Sequence, residues 1–190
     1  MDRLAHVLAA IDAANAADPG ADADGAPSAL VYGRRMSARL AAFAPDAGEA
    51  LRIAARGQHI ERWAIPRGDF PMDRVGYLKW RNAQKDRHAA RLGEIMAGTG
   101  YDEAARARVA ALVRKEGLKR DAESQTLEDV ACLVFLEHEA AAFMARHDEA
   151  KCVDIVEKTW RKMSPAGQDA AKALTLDAHV ARIVAKALAG

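Results

Sequence analysis

Alanine and other helix-forming residues fill the segments between the prolines and glycines of this chain, and this pattern most constrains its fold. Apolar side chains in these segments recur at the spacing of one helix face, and no alternating strand pattern appears. Aromatic residues make up only 5% of the 190 residues, which favours closely packed helices over a sheet of branched side chains. The sequence therefore predicts an all-α protein: a single compact, bundle-like domain over residues 1–190 with about seven to nine helices.

Proline, glycine and capping residues set the predicted helix boundaries. The segment DPGADADGAP, at about 18–27, predicts a flexible connector, and Ser164-Pro165 predicts the cap and first turn of a late helix. The other predicted helices cover about 4–17, 28–43, 46–64, 73–97, 102–116, 126–146, 149–163 and 177–188.

Positive charge is concentrated in one part of a nearly neutral chain. The net charge is +1, yet residues 52–91 contain ten basic and four acidic residues, a local charge of +6. Such a distribution argues against a nucleic-acid-binding protein with a generally basic surface. It predicts instead a site for a small anion, or one face for a polyanion.

The cellular compartment follows from the cysteines and from hydropathy. Cys132 and Cys152 have no metal-ligand spacing, and two thiols without a disulfide framework suit a reducing compartment. The first apolar stretch is too short and too acidic for a signal peptide, and no later apolar stretch is long enough to span a membrane. We therefore expect a cytoplasmic protein that is not associated with a membrane.

The stretch RGQHIERWAIPR, residues 56–67, is the centre of the positive segment. On a continuous helix over 46–64, Arg52, Arg56, His59 and Trp63 fall on one face. Arginines in a row suit phosphate or carboxylate, and a tryptophan beside them offers a platform for stacking. The alternative is a solvated basic face with a tryptophan that covers the core.

The next predicted helix places charge within an apolar face. Arg81 and His88 fall in the middle of this face, with Lys85 at its edge. Burying an arginine without a partner costs several kcal/mol, so we expect an anion beside it, either a ligand or an internal carboxylate. The predicted apolar face consists of Tyr77, Leu78, Leu92, Ile95 and Met96.

Two acids lie in the most apolar segment, TLEDVACLVFLEHEAAAFM at 126–144, which we expect to form the central helix. Asp129 has a structural explanation, because Thr126-x-x-Asp129 resembles a capping box at a helix start. Glu137 lies beyond the first turn and needs a buried partner. The candidate partners are Arg81, His88 and Arg62.

Several blocks together resemble a family of uncharacterised proteins known as domain of unknown function 4202. The blocks are IDAANAADP, LVYGRRMSARL, AARGQHIERWAIPR, GYLKWR, LEDVACLVFLE and EKTWRKMS, between residues 11 and about 163. This resemblance implies no established activity. It places the following residues in family blocks without giving them roles: His59, Arg62, Trp63, Arg67, Trp80, Arg81, His88, Glu128 and Asp129.

The chain is also distantly similar to the HD-domain phosphohydrolases, which are helical and hold a divalent metal. That resemblance implies His59 and Asp129 as metal ligands. It departs from the family pattern at Lys79-Trp80, where a His-Asp pair is expected ahead of His88. With Lys79 and Arg81 supplying positive charge in place of the metal, the resemblance implies anion binding without metal.

These features predict a cationic pocket that binds a phosphorylated small molecule or a nucleotide. In an enzyme of this kind, His59 or His88 would act as acid or base, and Asp129 or Glu137 would orient groups or bind metal. The expected reaction is hydrolysis of a phosphate ester or anhydride. The predicted ligand-binding residues are Arg56, Arg62, Trp63, Arg67, Lys79 and Arg81.

Two other functions remain open at this point. One is an RNA-binding or RNA-processing protein, in which Arg52, Arg56, Arg67 and residues 158–162 contact backbone phosphates. The other is a non-catalytic structural or interaction protein whose buried charges only fix its packing.

Overall fold

The computed structural model describes residues 2–189, which form ten α-helices and no strand. Two short 3-10 turns, Arg62–Ala64 and Arg67–Asp69, lie between α3 and α4, and a π-helical segment, Phe135–Glu139, joins α6 to α7. The all-α prediction is confirmed, with slightly more helices than expected. The helices are α1 (Arg3–Asn15), α2 (Ser28–Phe43), α3 (Glu49–Gly57), α4 (Arg74–Ala97), α5 (Glu103–Arg114), α6 (Ala122–Val134), α7 (Ala140–Met144), α8 (Glu149–Lys162), α9 (Pro165–Lys172) and α10 (Ala178–Leu188).

The chain divides into two compact units between Gly117 and Leu118. In the first unit, α3 packs against α1, α2 and α5, and α5 packs against α4. These contacts bury the apolar faces of all five helices, and α3 lies among three neighbours because its own face is strongly apolar. Fully buried side chains in this unit include Ile11, Met36, Leu40, Ile53, Ile60, Leu92, Met96 and Leu112.

The second unit is built around α6, which packs against α8 and α9, while α10 packs against α7 and α8. Cys132 and Cys152 are free thiols buried in this unit. Among the described residues, no helix has the length and apolar composition needed to cross a membrane. One core cluster of the unit consists of Ala140, Met144, Cys152, Val156, Val180, Ile183 and Ala187.

The third helix is shorter than predicted, so the predicted stripe of Arg52, Arg56, His59 and Trp63 along one helix is wrong. The helix ends at Gly57, which packs directly on Leu92 of α4. Glu61 then adopts a left-handed conformation with φ 49°, and its backbone N–H donates to the side chain of Asn15. His59 and Trp63 therefore lie in an irregular segment.

The buried face of α4 also differs from the prediction at its N-terminal end. Tyr77 and Leu78 are 43% and 49% exposed, whereas Trp80 and Gln84 face the interior. The physical reason is a set of hydrogen bonds that the apolar pattern does not encode. Trp80 Nε1 and Gln84 Nε2 both donate to the backbone carbonyl of Ile65, at 2.9 and 3.0 Å.

The capping-box interpretation of Asp129 is wrong, because α6 begins four residues before Thr126. The cap is Asp121, whose carboxylate accepts the backbone N–H of Ser124 at 2.8 Å. Thr126 lies inside the helix, where its hydroxyl donates to the carbonyl of Ala122. Asp129 is therefore an interior residue of α6 with a buried carboxylate.

Replacement by alanine should have opposite effects on stability at two glycines of α4. A Cβ at Gly76 would lie 2.0 Å from the Pro71 carbonyl oxygen, whereas one at Gly93 would meet nothing within 4 Å. We expect Gly76→Ala to lower the free energy of unfolding by about 2 kcal/mol through overpacking. Gly93→Ala should raise it by about 0.5–1 kcal/mol, because alanine restricts the unfolded chain. Urea denaturation of both variants checks this, and a shift of the same sign in both would contradict it.

Candidate functional site

His59 lies where α2, α4 and the segment after α3 meet. Its ring stacks on Tyr32 of α2, with the ring centroids 4.2 Å apart and the planes 15° from parallel. A hydrogen bond from Gln58 Nε2 to the Tyr32 hydroxyl, at 2.9 Å, holds the tyrosine side chain in this orientation. The ring of His88, on α4, lies with its centroid 6.1 Å from that of His59.

Three permanent cations lie close enough to the half-buried His59 ring to affect its pKa. Burial lowers the pKa of His59 well below 6.5, and the positive charges of Arg62, Lys115 and Arg81 lower it further, as does the interaction with His88 when both rings are protonated. Arg62 follows His59 in the chain, Arg81 comes from α4, and Lys115 is the C-cap of α5. His59 is therefore uncharged at neutral pH in a strongly positive neighbourhood.

Aromatic rings position two of these cations. The guanidinium of Arg62 lies 4.7 Å from the ring centroid of Trp80, and that of Arg81 lies 5.8 Å from the ring of Tyr77. Such cation-π contacts orient the guanidinium plane and leave its charge in place. We call His59, Tyr32, Arg62, Arg81 and Lys115 the His59 site.

Glu61 and Gln84 attach the irregular segment to α4. The carboxylate of Glu61 accepts hydrogen bonds from Arg87 at 2.8 Å and from Arg91 at 3.0 Å. Gln84 Nε2 donates to the backbone carbonyl of Arg62 at 2.7 Å as well as to that of Ile65. Sequence reasoning did not identify either residue, although Glu61 is the only acid in RGQHIERWAIPR.

His88 is buried behind the site and is only 2% exposed. Burial is the main reason that its pKa falls to about 4; the positive charges of Arg62 and Arg87 lower it further, and the backbone carbonyl of Ile60, which can accept a hydrogen bond from the protonated ring, opposes them. Within residues 2–189, neither ring nitrogen has a hydrogen-bond partner of normal geometry. A buried imidazole without a partner is uncommon in a folded protein.

Arg56 and Arg67 have hydrogen-bond partners outside the His59 site. Arg56 forms a bidentate ion pair with Asp12 of α1, at 2.7 and 2.8 Å. Lys79 is exposed on α4, and Trp63 is half-buried in the first 3-10 turn. Arg67 donates to backbone carbonyls of the segment before α4, namely those of Phe70, Pro71 and Asp73.

Asp129 and Glu137 belong to the second unit, whereas His59 and His88 belong to the first. Asp129 accepts the backbone N–H of Ser164 at 2.8 Å, the Ser164 hydroxyl at 2.6 Å and the Gln125 amide at 3.0 Å. It therefore anchors the residue that caps α9. Glu137 lies in the π-helical segment, 3.4 Å from the imidazole of His138.

Two further predicted features concern metal and RNA. Among residues 2–189, no three His, Cys, Asp or Glu side chains are grouped closely enough to hold a metal ion. The basic residues of 158–162, expected to contact RNA, all have carboxylates within 4 Å. Lys158 pairs with Asp154, Arg161 with Glu157 and Lys162 with Glu128.

The sequence model of a family described as a domain of unknown function (DUF4202) matches residues 5–184, which is nearly the whole chain. No curated protein and no solved structure matches significantly.

Proposed function

We propose that this chain, which belongs to the family described as domain of unknown function 4202, binds a phosphorylated small molecule or a nucleotide at the His59 site. One observation carries the proposal: a half-buried imidazole, stacked on Tyr32, whose pKa is lowered by burial and by the positive charges of Arg62, Lys115 and Arg81. Partly buried cations are weakly screened by solvent, so a phosphate placed among them is held more strongly than at an open surface.

The chemistry of each group suits a phosphate. Guanidinium groups bind phosphate oxygens in a bidentate manner, and a lysine ammonium adds a mobile point charge. The neutral imidazole of His59 can donate one hydrogen bond to the ligand through N–H, and its other nitrogen can accept a proton. Hydrolysis of a phosphate ester or anhydride is therefore the first reaction that we propose to assay.

Loss of one cation should weaken phosphate binding. We expect Arg81→Gln and Lys115→Gln each to weaken pyrophosphate binding about tenfold at low salt, because each removes one charge from a partly buried cluster. Isothermal titration calorimetry at two salt concentrations measures this effect. Arg52→Gln, at an exposed arginine of α3, is the matched control and should bind as the wild type does. Equal affinities in all four proteins would contradict the proposal.

Binding of an anion should also raise the pKa of His59. In the protein without ligand, the positive charges of Arg62, Lys115 and Arg81 favour the neutral imidazole. A bound phosphate offsets part of this charge and so favours the protonated ring. By linkage, the affinity for phosphate should then increase as the pH falls toward the pKa of His59 in the complex. Histidine NMR titration with and without pyrophosphate measures the shift. An unchanged His59 titration at saturating pyrophosphate would show that the anion binds elsewhere.

A further inference from the structure

Three buried side chains beside the His59 site have polar atoms that lack a hydrogen-bond partner among residues 2–189. They are the Oε1 atoms of Gln58 and Gln84 and both ring nitrogens of His88. Gln58 is 5% exposed and the other two are each 2% exposed. Most buried polar atoms in folded proteins are paired, so a group of unpaired ones in one region points to a missing partner.

The chain brings these side chains together around the segment that carries His59 and Arg62. Gln84 and His88 are four residues apart on the buried face of α4 and therefore lie one turn apart. Gln84 contacts the backbone of Arg62, the His88 ring lies 6.1 Å from that of His59, and Gln58 precedes His59 in the chain.

The orientation of the Gln84 amide is fixed by its contacts. Its Nε2 donates to two backbone carbonyls, those of Arg62 and Ile65, so the other end of the amide must be the oxygen. Gln84 Oε1 is thus an acceptor in need of a donor. Neutral His88 offers one acceptor nitrogen and one N–H donor.

A hydroxyl group fits this set of atoms, because it donates one hydrogen bond and accepts others. It can donate to Gln84 Oε1 or to the acceptor nitrogen of His88, and it can accept the His88 N–H. A phosphate oxygen satisfies only the N–H. An alkyl group satisfies none of them.

We propose that the ligand of the His59 site is a sugar or polyol phosphate, in which Gln84 and His88 bind hydroxyl groups while Arg62, Arg81 and Lys115 bind the phosphate. This inference rests on the proposed function and names its ligand class. The unpaired atoms are closed off from solvent, so binding requires a local movement. We expect the side chains of His59 and Arg62, which are partly exposed, to move.

Two phosphates of similar size test this inference. Glycerol 3-phosphate carries two hydroxyls that propyl phosphate lacks, and calorimetry at pH 7 gives the affinity of the wild-type protein for each. We expect glycerol 3-phosphate to bind at least about tenfold more tightly, because the propyl chain leaves the buried atoms unpaired. In His88→Leu this preference should fall to about threefold or less, mainly through weaker binding of glycerol 3-phosphate.

Each outcome separates this inference from the proposed function. Equal affinity of the wild type for the two compounds would overturn the inference, assign the unpaired atoms to buried water and leave phosphate binding intact. No binding of either compound, or of pyrophosphate, would overturn both. The wild-type comparison decides the matter even if His88→Leu does not fold. A folded His88→Leu protein that keeps the full preference would remove His88 from the hydroxyl site.

Discussion

Acidification from pH 7 to pH 4 is expected to lower the free energy of unfolding by about 3 kcal/mol through His88. Its pKa is about 4 in the folded protein, against a usual value of 6.5. Between these values, the unfolded chain binds a proton that the folded protein excludes. The stability is therefore complete above about pH 6.5 and is lost as the pH falls to 4. His59, whose pKa is also lowered, acts in the same direction.

Urea denaturation at several pH values between 4 and 7.5 measures this effect. His88→Leu should remain folded at pH 7, because an apolar side chain of similar size replaces a buried ring whose nitrogens have no hydrogen bond of normal geometry. It should lose the part of the pH dependence that His88 contributes and keep the part that His59 contributes. His6→Ala, at an exposed histidine of α1, is the control and should follow the wild-type profile. A wild-type protein equally stable at pH 4 and pH 7 would show that buried His88 is protonated without penalty.

Helix positions were predictable because local signals encode them. The predicted helix 28–43 coincides with α2, and 73–97 differs from α4 only at its first residue. Asp73 precedes the first residue of α4 and caps it by accepting the N–H of Gly76 at 2.7 Å. Such signals operate within a few residues and can be identified from sequence alone.

The end of α3 was not predictable, because distant residues determine it. The left-handed Glu61 is held by Asn15, 46 positions earlier in the chain, and Gly57 lies against Leu92 of α4. Nothing within RGQHIERWAIPR specifies these contacts. A continuous apolar pattern therefore predicted a helix where tertiary contacts impose a turn.

The candidate site was predicted in part for a similar reason. His59, Arg62, Arg81 and His88 were identified from local charge and from polar residues on apolar faces, and the structure brings them together. Lys115 was not predicted as a site residue, because lysine is common at the C-terminal end of a helix. The ion pair of Arg56 with Asp12 could not be predicted either, because Asp12 lies in a different predicted helix.

Replacement of Asp129 is expected to destabilise the second unit. Asp129→Ala removes three hydrogen bonds and leaves the Ser164 N–H and the Gln125 amide without this acceptor. We expect the free energy of unfolding to fall by about 3 kcal/mol, because a buried carboxylate with charge-assisted hydrogen bonds is lost. Denaturation by urea measures it. Asp169→Ala, at an exposed acid of α9 paired with Lys172, is the control and should change stability by less than about 0.5 kcal/mol.

The conservative variant Asp129→Asn separates this structural role from a role in binding or catalysis. Asparagine keeps an oxygen that can accept the Ser164 N–H, so it should recover part of the stability lost in Asp129→Ala. If Asp129 were a metal ligand or a catalytic carboxylate, Asp129→Asn would stay folded but would lose binding or activity, because the amide preserves the fold and removes the charge. We therefore expect folded Asp129→Asn protein to bind pyrophosphate as the wild type does. A stable Asp129→Asn protein with affinity reduced about tenfold would instead place this carboxylate among the functional groups of the protein.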